Sequence, residues 1–135
     1  MKPKRWHWIH SRLKSIPYAL DGLQDMLKTQ HNAWIHLLFT VFALWLAAWL
    51  GFDRLRFTMI VVAIVLVWMA EAFNTVFEIL LDILSPDDSP KIKRAKDVAA
   101  AGVLITAAGA LMIGLALFGP PLYQKILEAL PKLSL

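Results

Sequence analysis

The sequence predicts an all-α membrane protein: a single domain over residues 1–135, with three transmembrane helices preceded by an amphipathic surface helix. Two observations predict it. The first is composition, because 59% of the 135 residues are hydrophobic and 18% are charged. A soluble domain carries about 45–50% and about 25%. Six tryptophans and seven phenylalanines exceed what so small a soluble domain can bury. The second is placement, because the apolar residues gather in three long runs. These runs are too long for barrel strands and lack strict alternation. A disordered chain is excluded by the hydrophobic content, and a disulfide scaffold by the absence of cysteine.

The amphipathic helix is expected over 11–28. Leu13, Ile16, Leu20, Leu23 and Leu27 recur there at helical spacing, with Arg12, Lys14, Asp21, Asp25 and Lys28 elsewhere on the wheel. Trp6 and Trp8, beside Lys2, Lys4 and Arg5, suit the headgroup zone. The first crossing is expected at about 33–51, inside 24 uncharged residues between Lys28 and Asp53. The second, about 57–82, is uncharged from Phe57 to Ala70 and then carries acids. The third, about 97–119, lies in the 27 uncharged residues Val98–Gln124, with Pro120-Pro121 expected to end it. At about 1.5 Å per residue, about 20 residues cross a bilayer core of about 30 Å. On the third crossing, Ala99, Gly102, Thr106, Gly109 and Ile113 share one face of small residues that permits close packing. Leu104, Leu111 and Leu115 are expected to meet lipid or other helices.

Lysine and arginine counts set the orientation. Residues 1–36 hold six and the loop 83–96 four (Lys91, Lys93, Arg94, Lys96), against two in the turn Gly51–Arg56 and two in the tail. The N-terminus and the second loop are therefore expected in the cytoplasm, and the C-terminus outside. Residues 1–36 lack the pattern of a cleaved signal peptide.

The chemistry lies in the second crossing. Glu71, Asn74, Thr75, Glu78 and Asp82 project within about 60° of one line along the helix. Glu71 and Glu78 are about 10 Å apart along the axis. An acid at mid-membrane costs about 2.5–3.5 kcal/mol, so such residues face protein, water or a cation. Their bland reading is a polar seam between helices, through Asn74 and Thr75. Lys96-Asp97 is expected at the start of the third helix, on the same leaflet as Asp82. There a lysine and free helix N–H groups can neutralise phosphate. Carboxylates for Mg²⁺, a buried acid for a proton and a lysine for phosphate are the parts that phosphoryl transfer requires. Neither a Walker-type loop nor a protein-kinase loop is present.

Glu71-Ala-Phe-Asn-Thr-Val-Phe-Glu-Ile-Leu-Leu-Asp82, Ala95-Lys96-Asp97-Val-Ala-Ala-Ala-Gly102-Val and the spacing between them resemble the small bacterial membrane kinases of the diacylglycerol kinase and undecaprenol kinase family. Tyr18-Ala-Leu-Asp-Gly22-Leu and Asn32-Ala-Trp-Ile-His36 resemble that family's N-terminal helix and the start of its first crossing. Coverage runs from about Ser11 to Gly119. The resemblance implies a homotrimer in the bacterial inner membrane, with active sites where subunits meet. It implies ATP-dependent phosphorylation of a lipid hydroxyl, with Mg²⁺ as cofactor and no nucleic-acid partner. Glu71 would take the proton from the lipid hydroxyl. Glu78 would hold Mg²⁺ on the ATP phosphates, and Asn74 would orient its neighbours. Lys96 and Asp97 would contact the nucleotide, with Tyr18, Asp82 and the turn Asp87-Asp88-Ser89 nearby. Arg12 and Ala100, with Glu71, would meet the lipid.

Two positions depart from the family pattern. Gln30 stands where the family carries a glutamate that helps bind metal, so the resemblance implies a weaker, uncharged metal ligand that joins the ATP-binding set as an amide. Trp34 stands at a position commonly basic. Diacylglycerol and undecaprenol remain alternative substrates, since both present a hydroxyl on an apolar body. His7, His10, His31 and His36 form no i, i+4 pair and are read as interfacial or hydrogen-bonded rather than as metal ligands. The competing readings are a channel or proton-relay subunit and a non-catalytic assembly partner.

Overall fold

Among the residues that the computed structural model describes, 15–85 and 89–130, the chain forms four helices: α1 (Ser15–Thr29), α2 (His31–Trp49), α3 (Arg54–Leu84) and α4 (Pro90–Ala129). The last three are long and apolar enough to cross a membrane. Trp6, Trp8, Arg12, Leu13, Asp87 and Asp88 lie outside the described residues.

The turn between α2 and α3 follows from three residues. Gly51 has a φ of 68°, a left-handed conformation that costs a residue with a Cβ about 1–2 kcal/mol. It lets the Gly51 N–H donate to Ala48 O (3.1 Å) and the Phe52 N–H to Ala47 O (3.0 Å), which closes the last turn of α2 as a Schellman cap. Asp53 then caps α3, its Oδ1 accepting from the Arg56 N–H at 2.9 Å. Gly51→Ala is expected to destabilise the protein by about 1–2 kcal/mol, measured by thermal unfolding in micelles.

The helix α3 is central, packing along α4 and against α2. Its buried residues are Ile60, Ala63, Val67, Glu71, Asn74 and Thr75, with Asn74 and Thr75 three and four residues after Glu71, as one inward stripe requires. That stripe changes character between Val67 and Glu71, from wholly apolar to polar. Most large apolar side chains point outward, Leu104, Leu111 and Leu115 among them. Ala99, Gly102, Thr106, Gly109 and Ile113 are half-buried. A Cβ added at Gly102 or Gly109 would meet nothing within 4 Å, so within one chain these glycines serve no close helix approach.

The helix α4 differs from expectation at both ends. It begins at Pro90, not near 97, because Ser89 caps it: the Ser89 Oγ accepts from the Ile92 N–H at 3.3 Å, and Pro90 takes the first turn. The basic residues expected in a loop over 83–96 are thus helical from Lys91 onward. Lys96-Asp97 lies more than a turn past the helix start, so the free N–H groups are not beside it. At the other end Pro120 and Pro121 lie inside the helix, which runs to Ala129. Tertiary contacts flank the prolines and hold the helix through them. Phe118 stacks on Phe52 with ring centroids 5.0 Å apart, and Lys125 Nζ sits 4.3 Å from the Trp49 ring centroid.

Candidate active site

The carboxylate of Glu78 gathers the polar groups in the C-terminal half of α3. Its Oε1 accepts from Asn74 Nδ2 at 2.9 Å, one turn back on the same helix. Its Oε2 accepts from Gln30 Nε2 at 3.1 Å, 48 residues away in sequence. Gln30 reaches it because it is the residue between α1 and α2, extended at φ −101° and ψ 113°. Its backbone is held at both ends: the Gln30 N–H donates to Met26 O, and Gln30 O accepts from the Ala33 N–H. The Gln30 amide thus faces Glu78 through its NH₂, the only edge of an amide that a carboxylate attracts.

Glu71 stands two turns away and is fully buried. Neither of its carboxylate oxygens has a hydrogen-bond partner among the described residues. The nearest basic atom is His36 Nε2 on α2, 3.5 Å from Glu71 Oε2 and likewise without a hydrogen bond. Trp68 stands edge-on to the His36 ring, centroids 6.4 Å apart, and its indole N–H donates to Thr40 Oγ1 at 3.0 Å. A buried ionisable group without donors is costly to keep, and such groups gather at functional sites. The Thr75 hydroxyl donates to Glu71 O on its own helix at 2.9 Å, so it builds no seam between helices.

A cleft of about 270 Å³ opens between α2, α3 and α4. His36, Asn74 and Glu78 form its polar side, and Ala100, Val103 and Ala107 its apolar side. Asn74 Oδ1 is buried and has no donor. One carboxylate and one free amide oxygen together suit a hard cation that keeps most of its waters. No group of three or more histidine or acidic side chains placed to hold a metal occurs among the described residues.

The structure brings Gln30, Asn74, Glu78 and Ala100 to one site. It pairs Asp82 with Lys96 through Lys96 Nζ and Asp82 Oδ1, which ties the end of α3 to the second turn of α4. Both side chains are partly exposed, so this bridge adds at most about 1 kcal/mol to stability. Tyr18 is 76% exposed on α1, and among the described residues no hydrogen bond joins it to Gln30, Asn74 or Glu78. Asp97 is exposed, and Ser89 uses its hydroxyl as a helix cap. His36 is the residue that sequence reasoning missed. Its partner lies 35 positions away, and no spacing rule spans that interval.

A family model described as prokaryotic diacylglycerol kinase matches residues 17–118. The protein named diacylglycerol kinase from Synechocystis sp. is 29% identical over 123 residues, covering 90% of this chain and 70% of its own length. Gln30, His36, Glu71, Asn74, Glu78 and Lys96 all fall inside the matched span, and it is on this match that the chain belongs to the prokaryotic diacylglycerol kinase family.

Proposed function

We propose that this protein transfers the γ-phosphoryl group of ATP to the hydroxyl of a membrane lipid, diacylglycerol or undecaprenol. The observation that carries the reading is a cleft whose two sides differ. Two glutamates, two amides and an imidazole gather at or behind one side, while small apolar residues of α4 form the other. A lipid alcohol has that same division, a single polar group on an apolar body.

Glu71 is the acceptor of the proton that leaves the lipid hydroxyl. Glu78 and Asn74 Oδ1 are the groups that would hold Mg²⁺, which when bound offsets the charge of the phosphates. Lys96 neutralises phosphate charge after exchanging its partner Asp82 for the nucleotide. Asp97, Tyr18, Ser89 and the turn at Asp87-Asp88 approach the nucleotide only by analogy with the family. Arg12 and Ala100 meet the lipid on the same footing. The site is completed between copies in a homotrimer of the bacterial inner membrane. There α1 lies on the cytoplasmic surface with Ile16, Leu20 and Leu23 towards lipid, and the C-terminus is outside, as the distribution of basic residues supports.

Assay of the purified protein in micelles with labelled ATP, against diacylglycerol and undecaprenol in turn, tests the reading. Label is expected in the organic phase with one alcohol or both. Its absence with every lipid alcohol, at saturating Mg²⁺, rejects it.

Gln30 supplies a second expectation. Gln30→Glu replaces a donor to Glu78 by a second carboxylate, so without metal the two repel. A further unit charge at about 4 Å is worth about 4 kcal/mol at an effective dielectric constant of about 20. The Mg²⁺ concentration for half-maximal activity is therefore expected to fall by about tenfold or more, since 1.4 kcal/mol is one factor of ten. Thermal stability of the variant should also become Mg²⁺-dependent. Unchanged metal dependence in both readouts places residue 30 away from the metal.

A further inference from the structure

The carboxyl group best suited to take the proton does not reach the cleft. Glu71 is fully buried and is not among the described residues that line the cavity. His36 does line it, and its Nε2 stands 3.5 Å from Glu71 Oε2. Nε2 and both Glu71 oxygens are buried, and none of them has a hydrogen-bond partner among the described residues. The imidazole therefore lies between the cleft and the buried acid.

We propose that His36 is the proton relay of this enzyme, the group that touches the lipid hydroxyl and passes its proton to Glu71; this rests on the kinase reading above. A neutral imidazole has one N–H and one free nitrogen, so it can accept at one edge while it donates at the other. With Nε2–H turned to Glu71, Nδ1 is the accepting nitrogen. The lipid O–H bond breaks as Nδ1 takes the proton, and Nε2 releases its own proton to Glu71 Oε2. The lipid oxygen forms its bond to the γ-phosphorus of ATP. The bond from that phosphorus to the β–γ bridging oxygen breaks, and its electron pair leaves with ADP. His36 ends neutral with its proton on the other nitrogen, and Glu71 ends protonated.

The surroundings suit this role. Trp68 stands edge-on to the ring and is itself fixed by its hydrogen bond to Thr40, which limits how far the imidazole can turn. From α3 the ring is faced by Glu71, and Glu78 and Asn74 line the same cleft. From α4 only Ala100, Val103, Leu104 and Ala107 line that space, and from α2 itself Asn32 and Ile35. Glu78 is the other base that lines the cleft, and its two oxygens already accept from Gln30 and Asn74.

The test uses the full chain in lipid-containing micelles, with ATP, Mg²⁺ and the lipid alcohol that the wild type phosphorylates. His36→Ala is expected to lower kcat by on the order of 10² or more while KM for ATP stays within about twofold. Free imidazole at tens of millimolar should restore activity at least about tenfold by occupying the vacated space, a rescue that a merely structural role does not give. His36→Gln fills the space and hydrogen-bonds but cannot exchange one proton for another, so it should be as slow as His36→Ala and unresponsive to imidazole. Wild-type turnover in either variant, or no response of His36→Ala to imidazole, overturns the relay and leaves the kinase reading in place. A wild type that phosphorylates no lipid alcohol overturns both.

Discussion

Glu71→Gln is expected to keep the protein folded and to lower turnover on a lipid alcohol by on the order of 10²–10⁴, the range that general-base groups supply. The amide occupies nearly the volume of the acid, and the site offers neither carboxylate oxygen a donor hydrogen bond that the change would break. Fold and stability should therefore change little, while the capacity to accept a proton is lost. ATP binding should persist, because the nucleotide is assigned to groups at Glu78 and Lys96. Thermal unfolding, ATP binding and turnover measured on one preparation separate these effects. Near-normal turnover removes Glu71 from the mechanism.

Glu78→Ala is expected to damage both fold and turnover, a different signature. It strips the Gln30 and Asn74 amides of their shared acceptor, and each part-buried amide left unpaired costs about 1–3 kcal/mol. It also removes the carboxylate from the set that would hold Mg²⁺. Loss of such charge stabilisation in phosphoryl transfer is worth about 10²–10³ in turnover. Both stability and activity should fall, and raising Mg²⁺ should not recover either. Glu78→Gln separates the two effects, because its amide oxygen can still accept from Asn74 or Gln30. That variant should recover much of the stability and little of the turnover. Full activity in Glu78→Gln at ordinary Mg²⁺ would show that the carboxylate charge is not needed.

The helical periodicity of Glu71, Asn74, Thr75 and Glu78 was readable because one helix carries all four. The structure buries three of them and half-buries the last. The three long apolar helices were readable for a similar reason: a run of uncharged residues is a local property. The ends of α4 were not. Four basic residues suggested a loop, yet Ser89-Pro90 is a sound cap and first turn, and it wins. Pro120-Pro121 suggested a stop, but Phe52 and Trp49, some 70 residues earlier in the chain, hold the helix beyond it. The contacts of Gln30 and His36 were hidden for the same physical reason. The resemblance placed residue 30 near the metal position, but that its amide would donate to Glu78 depends on how α1 meets α2. The approach of His36 to Glu71 depends on how α2 packs on α3. Neither crossing is encoded by local spacing.

The central claim is that this membrane protein moves phosphate onto a lipid hydroxyl with Glu71 as the proton's destination. The most direct measurement is label transfer from γ-labelled ATP to a lipid alcohol in micelles, wild type beside Glu71→Gln, with both confirmed folded and ATP-binding. The account predicts labelled lipid phosphate from the wild type and about 1% of that rate or less from the variant. Equal rates from the two proteins, or no labelled lipid from the wild type, would contradict it.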